Sequence, residues 1–210
     1  MTAISPVRLV VLGDSIAYGT GASQVDQTVG PRLAQALRRE GYDVDLRVLA
    51  VPGATSRDLA AQLRRTVSLG VDLALIVVGA NDLTRLVPPA QAAATLGTAV
   101  TALRAAGARV VVAPAPDLSD FPAIPPAFRP LVHSACLRLQ QSQAAATEAA
   151  GGVVAPVSAE LARAFAADPA LFSRDRYHPS SAGYARIADI LTPYVVTAAR
   201  SHSAALQPEH

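Results

Sequence analysis

Five short apolar runs rich in Val, Leu and Ile recur along the chain, at residues 7–12, 44–49, 73–78, 109–113 and 153–154, with turn residues and helix-length segments between them. A brief continuous apolar run bounded by turn residues marks a strand buried on both faces, and such strands belong to parallel sheets joined by crossover helices. The alternation therefore calls for an α/β fold, a three-layer αβα sandwich with helices on both faces of the sheet. LALIVV at 73–78 is the strongest of the five runs. VDLRVL at 44–49 alternates in part and so belongs toward an edge.

The segments between the runs carry helix punctuation. Gly30-Pro31 opens RLAQALRREG, which stops at Gly41. Ser56 is placed to cap DLAAQLRRTVSLG, and Pro88-Pro89 lead into an Ala-rich helix that ends near Gly107. Residues 114–130 form a Pro-rich loop whose prolines oppose regular structure, and a helix follows it to about Ala150. Residues 158–167 read as a helix. Ser180 caps a last helix reaching Arg200, and Ser201 onward reads as a frayed tail. No repeat or linker interrupts residues 1–200, so they are expected to form a single domain, followed by a tail at 201–210.

Right-handed crossovers leave two common doubly wound layouts. A dinucleotide-binding layout needs G-x-G-x-x-G after the first strand. Here Gly13 is followed by Asp-Ser-Ile, and Gly19 and Gly21 fall in the wrong register. The flavodoxin-like order 2-1-3-4-5 sets the first strand between the second and third. The turns at Ser15, Gly53 and Asn81 then meet just beyond the strand ends, where open α/β sheets bind ligands.

Composition narrows the chemistry. The 18 basic residues are all Arg, so a Walker lysine, a Schiff base and a Ser–Lys dyad are excluded. A formal charge of +2 gives no electrostatic case for nucleic acid or an anionic membrane. Cys136 is the one cysteine, which rules out an internal disulfide and a multi-cysteine metal site, and its helical SACLRL setting predicts a buried apolar role. His133 lies three residues before it, without the further ligands a metal needs. No run is long enough to span a bilayer and no signal-peptide pattern opens the chain, so a cytoplasmic protein is the expectation.

Four elements can converge on one site. Ser15 follows the first strand, Gly53 the second and Asn81 the third, while Asp175-Arg176-Tyr177-His178 precede the last helix. Acyl transfer requires a nucleophile, a base, a group orienting that base, and donors for an oxyanion. These positions supply all of them. Each residue alone reads equally as a turn or cap residue, Ser15 included. Asp14 and Asp82 read as structural carboxylates, Asp82 fixing the Asn81 loop.

GDSI at 13–16, GAT at 53–55, GAND at 79–82 and DRYHP at 175–179 resemble, in order and spacing, the four motif blocks of the SGNH (GDSL-type) hydrolases. The resemblance spans roughly residues 7–195, with Ile16 where the family more often has Leu. It implies a cofactor-independent serine esterase, without a metal, acting on small or lipid-like carboxylic esters through an acyl-enzyme. Ser15 would be the nucleophile, His178 the base and Asp175 its orienter. The Ser15 N–H, the Gly53 N–H and the Asn81 side-chain amide would form the oxyanion hole. A carbohydrate O-acetyl esterase, a thioesterase or a lysophospholipase would use the same machinery, and a non-catalytic acyl-binding module would keep only the pocket. A metal-dependent phosphoesterase built on Asp14, Asp175 and His178 lacks the clustered ligands two metals demand. Phe121, Ile124 and Phe128, in the Pro-rich loop after the fourth strand, either line an acyl pocket or close the edge of the core.

Overall fold

The computed structural model describes residues 6–121, 124–156 and 159–205. Its centre is a five-stranded parallel sheet in the order β2-β1-β3-β4-β5. The strands are β1 (Val7–Gly13), β2 (Val44–Val48), β3 (Leu73–Val77), β4 (Arg109–Ala113) and β5 (Val153–Val154). Because successive side chains point to opposite faces, each strand feeds two cores. Leu9, Val11, Leu73, Leu75 and Val111 face one side, where they meet Leu33 and Leu37 of α2 (Val29–Arg39) and Leu191 and Val195 of α8 (Ser181–Ala205). Val10, Leu12, Ala74, Ile76, Val110 and Val112 face the other, against Leu59 of α3 (Leu59–Arg64) and Leu96, Val100 and Leu103 of α5 (Pro89–Ala105). All five residues of β3 are buried, while β2 lies at a sheet edge, as its half-alternating pattern predicts. A short helix α1 (Ser15–Tyr18) follows β1, α4 (Ala80–Thr84) follows β3, and α6 (Arg129–Ala149) and α7 (Ala159–Ala167) complete the helices.

Sequence and structure part in three places besides the end of α3, which stops at Arg64 rather than running to Gly70. Ser56 is not the cap of the third helix. A 3-10 turn, Ser56–Asp58, precedes α3, and Thr55 opens it, with its N–H and hydroxyl both donating to Asp58 Oδ2 at 2.8 and 2.9 Å. The Pro-rich loop contains a short 3-10 turn, Pro126–Phe128, because prolines tolerate the first positions of a helical turn. The third difference is at the C-terminus. Residues 201–205 continue α8 rather than fraying. There Arg109 donates to the Ser201 carbonyl at 3.2 Å, and the half-buried His202 lies 3.4 Å from Asp72, which also pairs with Arg8. These contacts anchor the extra turn. Residues 206–210, with His210, and Ser158, the first residue of the helix expected over 158–167, lie outside the described residues. Among the described residues no helix is long and apolar enough to cross a membrane.

Candidate active site

The carboxyl ends of β1, β2 and β3 meet at one point. Gly13 pairs with Val77, the Asp14 N–H donates to the Val77 carbonyl at 3.0 Å, and the Val51 N–H donates to the Gly13 carbonyl at 3.0 Å. Gly13 has φ +130°, and a Cβ there would sit 1.8 Å from the Val77 carbonyl oxygen. Only glycine allows β1 to turn this close to β3. Asp14 then caps α1, its Oδ1 accepting the Ile16 N–H at 2.9 Å. Ser15 therefore becomes the first residue of α1, where its own N–H has no partner within the helix.

Ser15 is 8% exposed, and its Oγ lies 3.0 Å from His178 Nε2. His178 Nδ1 lies 2.6 Å from Asp175 Oδ2. A carboxylate only accepts, so Nδ1 carries the hydrogen and Nε2 is left to accept from the Ser15 hydroxyl. Asp175 Oδ1 accepts three further bonds, from the Ser173 hydroxyl and the N–H groups of Tyr177 and His178. Burial alone would raise its pKa, but the bonds from His178, Ser173 and the two backbone groups prevail and hold the carboxyl well below the usual range. The segment is closed at its base, where Phe172 bridges Pro179 and the Ser173 N–H donates to the His178 carbonyl at 2.8 Å. Ser180 caps α8 as expected, accepting the Gly183 N–H at 3.2 Å.

The Gly53 and Asn81 loops are joined. Residues 51–54 form a type II turn, with Pro52 at its second position, Gly53 at φ +80° and the Ala54 N–H donating to the Val51 carbonyl at 3.0 Å. That closing bond does not use the Gly53 N–H. Asn81 Nδ2 donates to the Ala54 carbonyl at 3.0 Å, and an amide nitrogen has a second hydrogen to offer. The buried Asp82 ties the Asn81 segment to the neighbouring loop, accepting the Ser56 N–H at 3.0 Å and the Ser56 hydroxyl at 3.1 Å. The site thus holds a hydroxyl and an imidazole backed by a carboxylate, with the Ser15 N–H free of any partner within its helix, parts that an acyl transfer uses.

Beside Ser15 and His178 opens a largely apolar pocket lined by Ile16, Leu118, Phe121, Leu161, Phe165 and Leu191, among others. Of the three loop residues singled out, Phe121 lines this pocket. Ile124 and Phe128 lie outside its lining, and Phe128 is 57% exposed. Phe121 meets Phe172 and Tyr177 edge-on, at 5.3 and 5.5 Å between ring centres, and Tyr177 in turn meets His178 at 5.0 Å. Cys136 is fully buried, and burial pushes its thiol up to about 11. His133 Nδ1 pairs with Asp117 at 2.6 Å. Among the described residues no group of three or more His, Cys, Asp or Glu is arranged to hold a metal ion.

Several supporting residues escape a reading by motif. Gln62, fully buried, accepts the Gly13 N–H and donates to the Gly13 carbonyl, both at 2.8 Å. Gln143 likewise accepts the Ala115 N–H at 2.9 Å and donates to the Val78 carbonyl at 3.0 Å, linking the ends of β3 and β4. Their signal is a polar residue on the apolar face of a helix, three after Leu59 and four after Leu139, where burial demands a bonded partner. Arg85, at the end of α4, donates from Nη2 to the Gly53 carbonyl at 2.9 Å.

Residues 11–186 match the GDSL-like lipase/acylhydrolase family. A GDSL-like esterase of Mycobacterium tuberculosis is 38% identical over 221 residues, covering 97% of this chain and 70% of its own length. Among solved structures, that of TesA aligns with a TM-score of 0.76 at 23% identity, covering 91% of this chain and 99% of its own. A catalytic mutant of an acetylxylan esterase from Geobacillus stearothermophilus aligns at 0.75 with 18% identity, covering 93% and 96%. At these identities the two structures establish the fold.

Proposed function

The chain belongs to the GDSL-like lipase/acylhydrolase family and is a carboxylic ester hydrolase; we propose that it acts through Ser15 as nucleophile, His178 as general base and acid, and Asp175 as the group that orients the histidine. The Ser15 oxygen attacks the ester carbonyl while its proton passes to His178 Nε2. The negative charge that forms on the carbonyl oxygen is met by the Ser15 and Gly53 N–H groups and the Asn81 side-chain amide. Collapse releases the alcohol, which takes the proton from His178, and leaves an acyl-Ser15 ester. Water then repeats the sequence and frees the acid. The observation that carries this reading is the unbroken relay from Ser15 Oγ through His178 to Asp175, at 3.0 and 2.6 Å.

The apolar pocket against Ser15 supports an aliphatic acyl group as the part of the ester held on the enzyme. A series of p-nitrophenyl acyl esters, set beside p-nitrophenyl phosphate, tests both points. Esters should be hydrolysed and the phosphate left intact. Activity should be lost to a fluorophosphonate and be unaffected by EDTA. Ser15→Ala should fall by at least about 10³-fold; a rate near that of the unaltered protein would end the proposal.

A further inference from the structure

Three side chains from the segment after β3 bond to the 53–56 loop. Asn81 holds the Ala54 carbonyl, Asp82 holds Ser56, and Arg85 holds the Gly53 carbonyl. The first two come from α4 itself. The third comes from the residue just past it, and the chain goes to some trouble to put it there. The Val87 N–H donates to the Asp82 carbonyl at 2.9 Å and the Leu86 N–H to the Leu83 carbonyl at 3.1 Å, the paired bonds of a Schellman ending. That ending needs a left-handed residue, and it is Leu86, at φ +54° and 87% exposed, rather than the usual glycine. The helix stops at Arg85, whose guanidinium lies over the turn. A Cβ on Gly53 would sit 3.7 Å from its Nη2.

We infer that Arg85 is a positioning residue for the Gly53 arm of the oxyanion hole, fixing the turn that presents the Gly53 N–H and setting a permanent positive charge beside the oxygen that becomes anionic. The inference rests on the assignment of Gly53 to that hole. A type II turn can pass to type I by flipping its central peptide, which carries the Gly53 N–H. Glycine at that position does little to resist the flip. A donor fixed on the next carbonyl limits the freedom of the turn's trailing arm. Being exposed, Arg85 contributes little to the core, so its effect should appear in catalysis.

The test compares the unaltered enzyme with Arg85→Gln, Arg85→Lys and Ser15→Ala, on a neutral ester, its thionoester and an anionic ester. Sulfur in place of the carbonyl oxygen is a poor hydrogen-bond acceptor, so the preference for oxygen reports on the hole. Arg85→Gln should lower kcat about tenfold with KM within twofold, and should reduce the oxygen-over-sulfur preference to a similar extent. Arg85→Lys, which keeps a charged donor, should recover part of both. An unchanged kcat and preference in Arg85→Gln, with Ser15→Ala inactive, would overturn the role of Arg85 alone. So would an effect confined to KM for anionic esters, which would make Arg85 a substrate-binding residue. Hydrolysis surviving in Ser15→Ala would overturn the site assignment beneath it.

Discussion

At the residue scale, the site is held by buried polar groups whose cost is met by bonds. Asp14 lies directly before the nucleophile and is 1% exposed. Burial pushes its carboxyl from 3.8 up to about 6, against the opposing pull of the Ile16 and Gly79 N–H groups, and the nearby Asp82 raises it further. The folded state thus holds this proton more tightly than the unfolded chain. The stabilising contribution is complete below pH 3.8 and is lost as pH rises through about 6. Asp14→Asn keeps the oxygen that caps α1 but cannot ionise. Relative to this variant, the unaltered protein should lose about 2 kcal/mol of stability between pH 4 and pH 7, read from denaturant midpoints across that range. A constant difference would refute the buried-acid reading. Gln62 invites a second measurement. Gln62→Leu strips both side-chain bonds from Gly13, and should cost about 2 kcal/mol, or roughly 4–8 °C in melting temperature. It should lower kcat as well, since Ser15 follows Gly13 by two residues.

At the scale of elements, strands and helices follow from pattern, while loops depend on what they pack against. The limits of β4 coincide with the apolar run at 109–113, and α5 begins at Pro89 as its prolines require. The Pro-rich loop was harder to read, because three apolar side chains on a loop do not reveal which of them turns inward. The structure places Phe121 in the pocket, braced by Phe172 and Tyr177, and leaves Phe128 mostly exposed. Replacing Phe121 with Ala should therefore change acyl-chain preference, lowering kcat/KM for long-chain esters about tenfold relative to acetate, since each buried methylene is worth about 0.8 kcal/mol. Phe128→Ala should leave the preference as it was. Equal effects from the two substitutions, in a substrate series, would argue that the loop closes the core edge rather than lining the pocket.

At the scale of the whole molecule, the sheet separates stability from chemistry. Ser15 and its partners sit at the carboxyl ends of the strands. Arg8, Asp72 and Arg109 lie at the opposite ends, where the last turn of α8 docks. β1 is seven residues long, so about 20 Å divides the two. Removing residues 201–210 should lower the melting temperature by several degrees while kcat stays within twofold, measured on the same preparation. The sequence alone was enough to establish the layered α/β architecture, the strand order and the family, because period, punctuation and motif spacing are local properties of the chain. It also nominated Ser15, Gly53, Asn81, Asp175 and His178. The tertiary structure decided that Ser15 and His178, 163 residues apart, meet at 3.0 Å, that Gln62 and Gln143 brace the strand ends, and that residues 201–205 are helix rather than tail. These depend on which distant surfaces come into contact. A side chain's partner across the fold leaves little trace in its own neighbourhood of sequence.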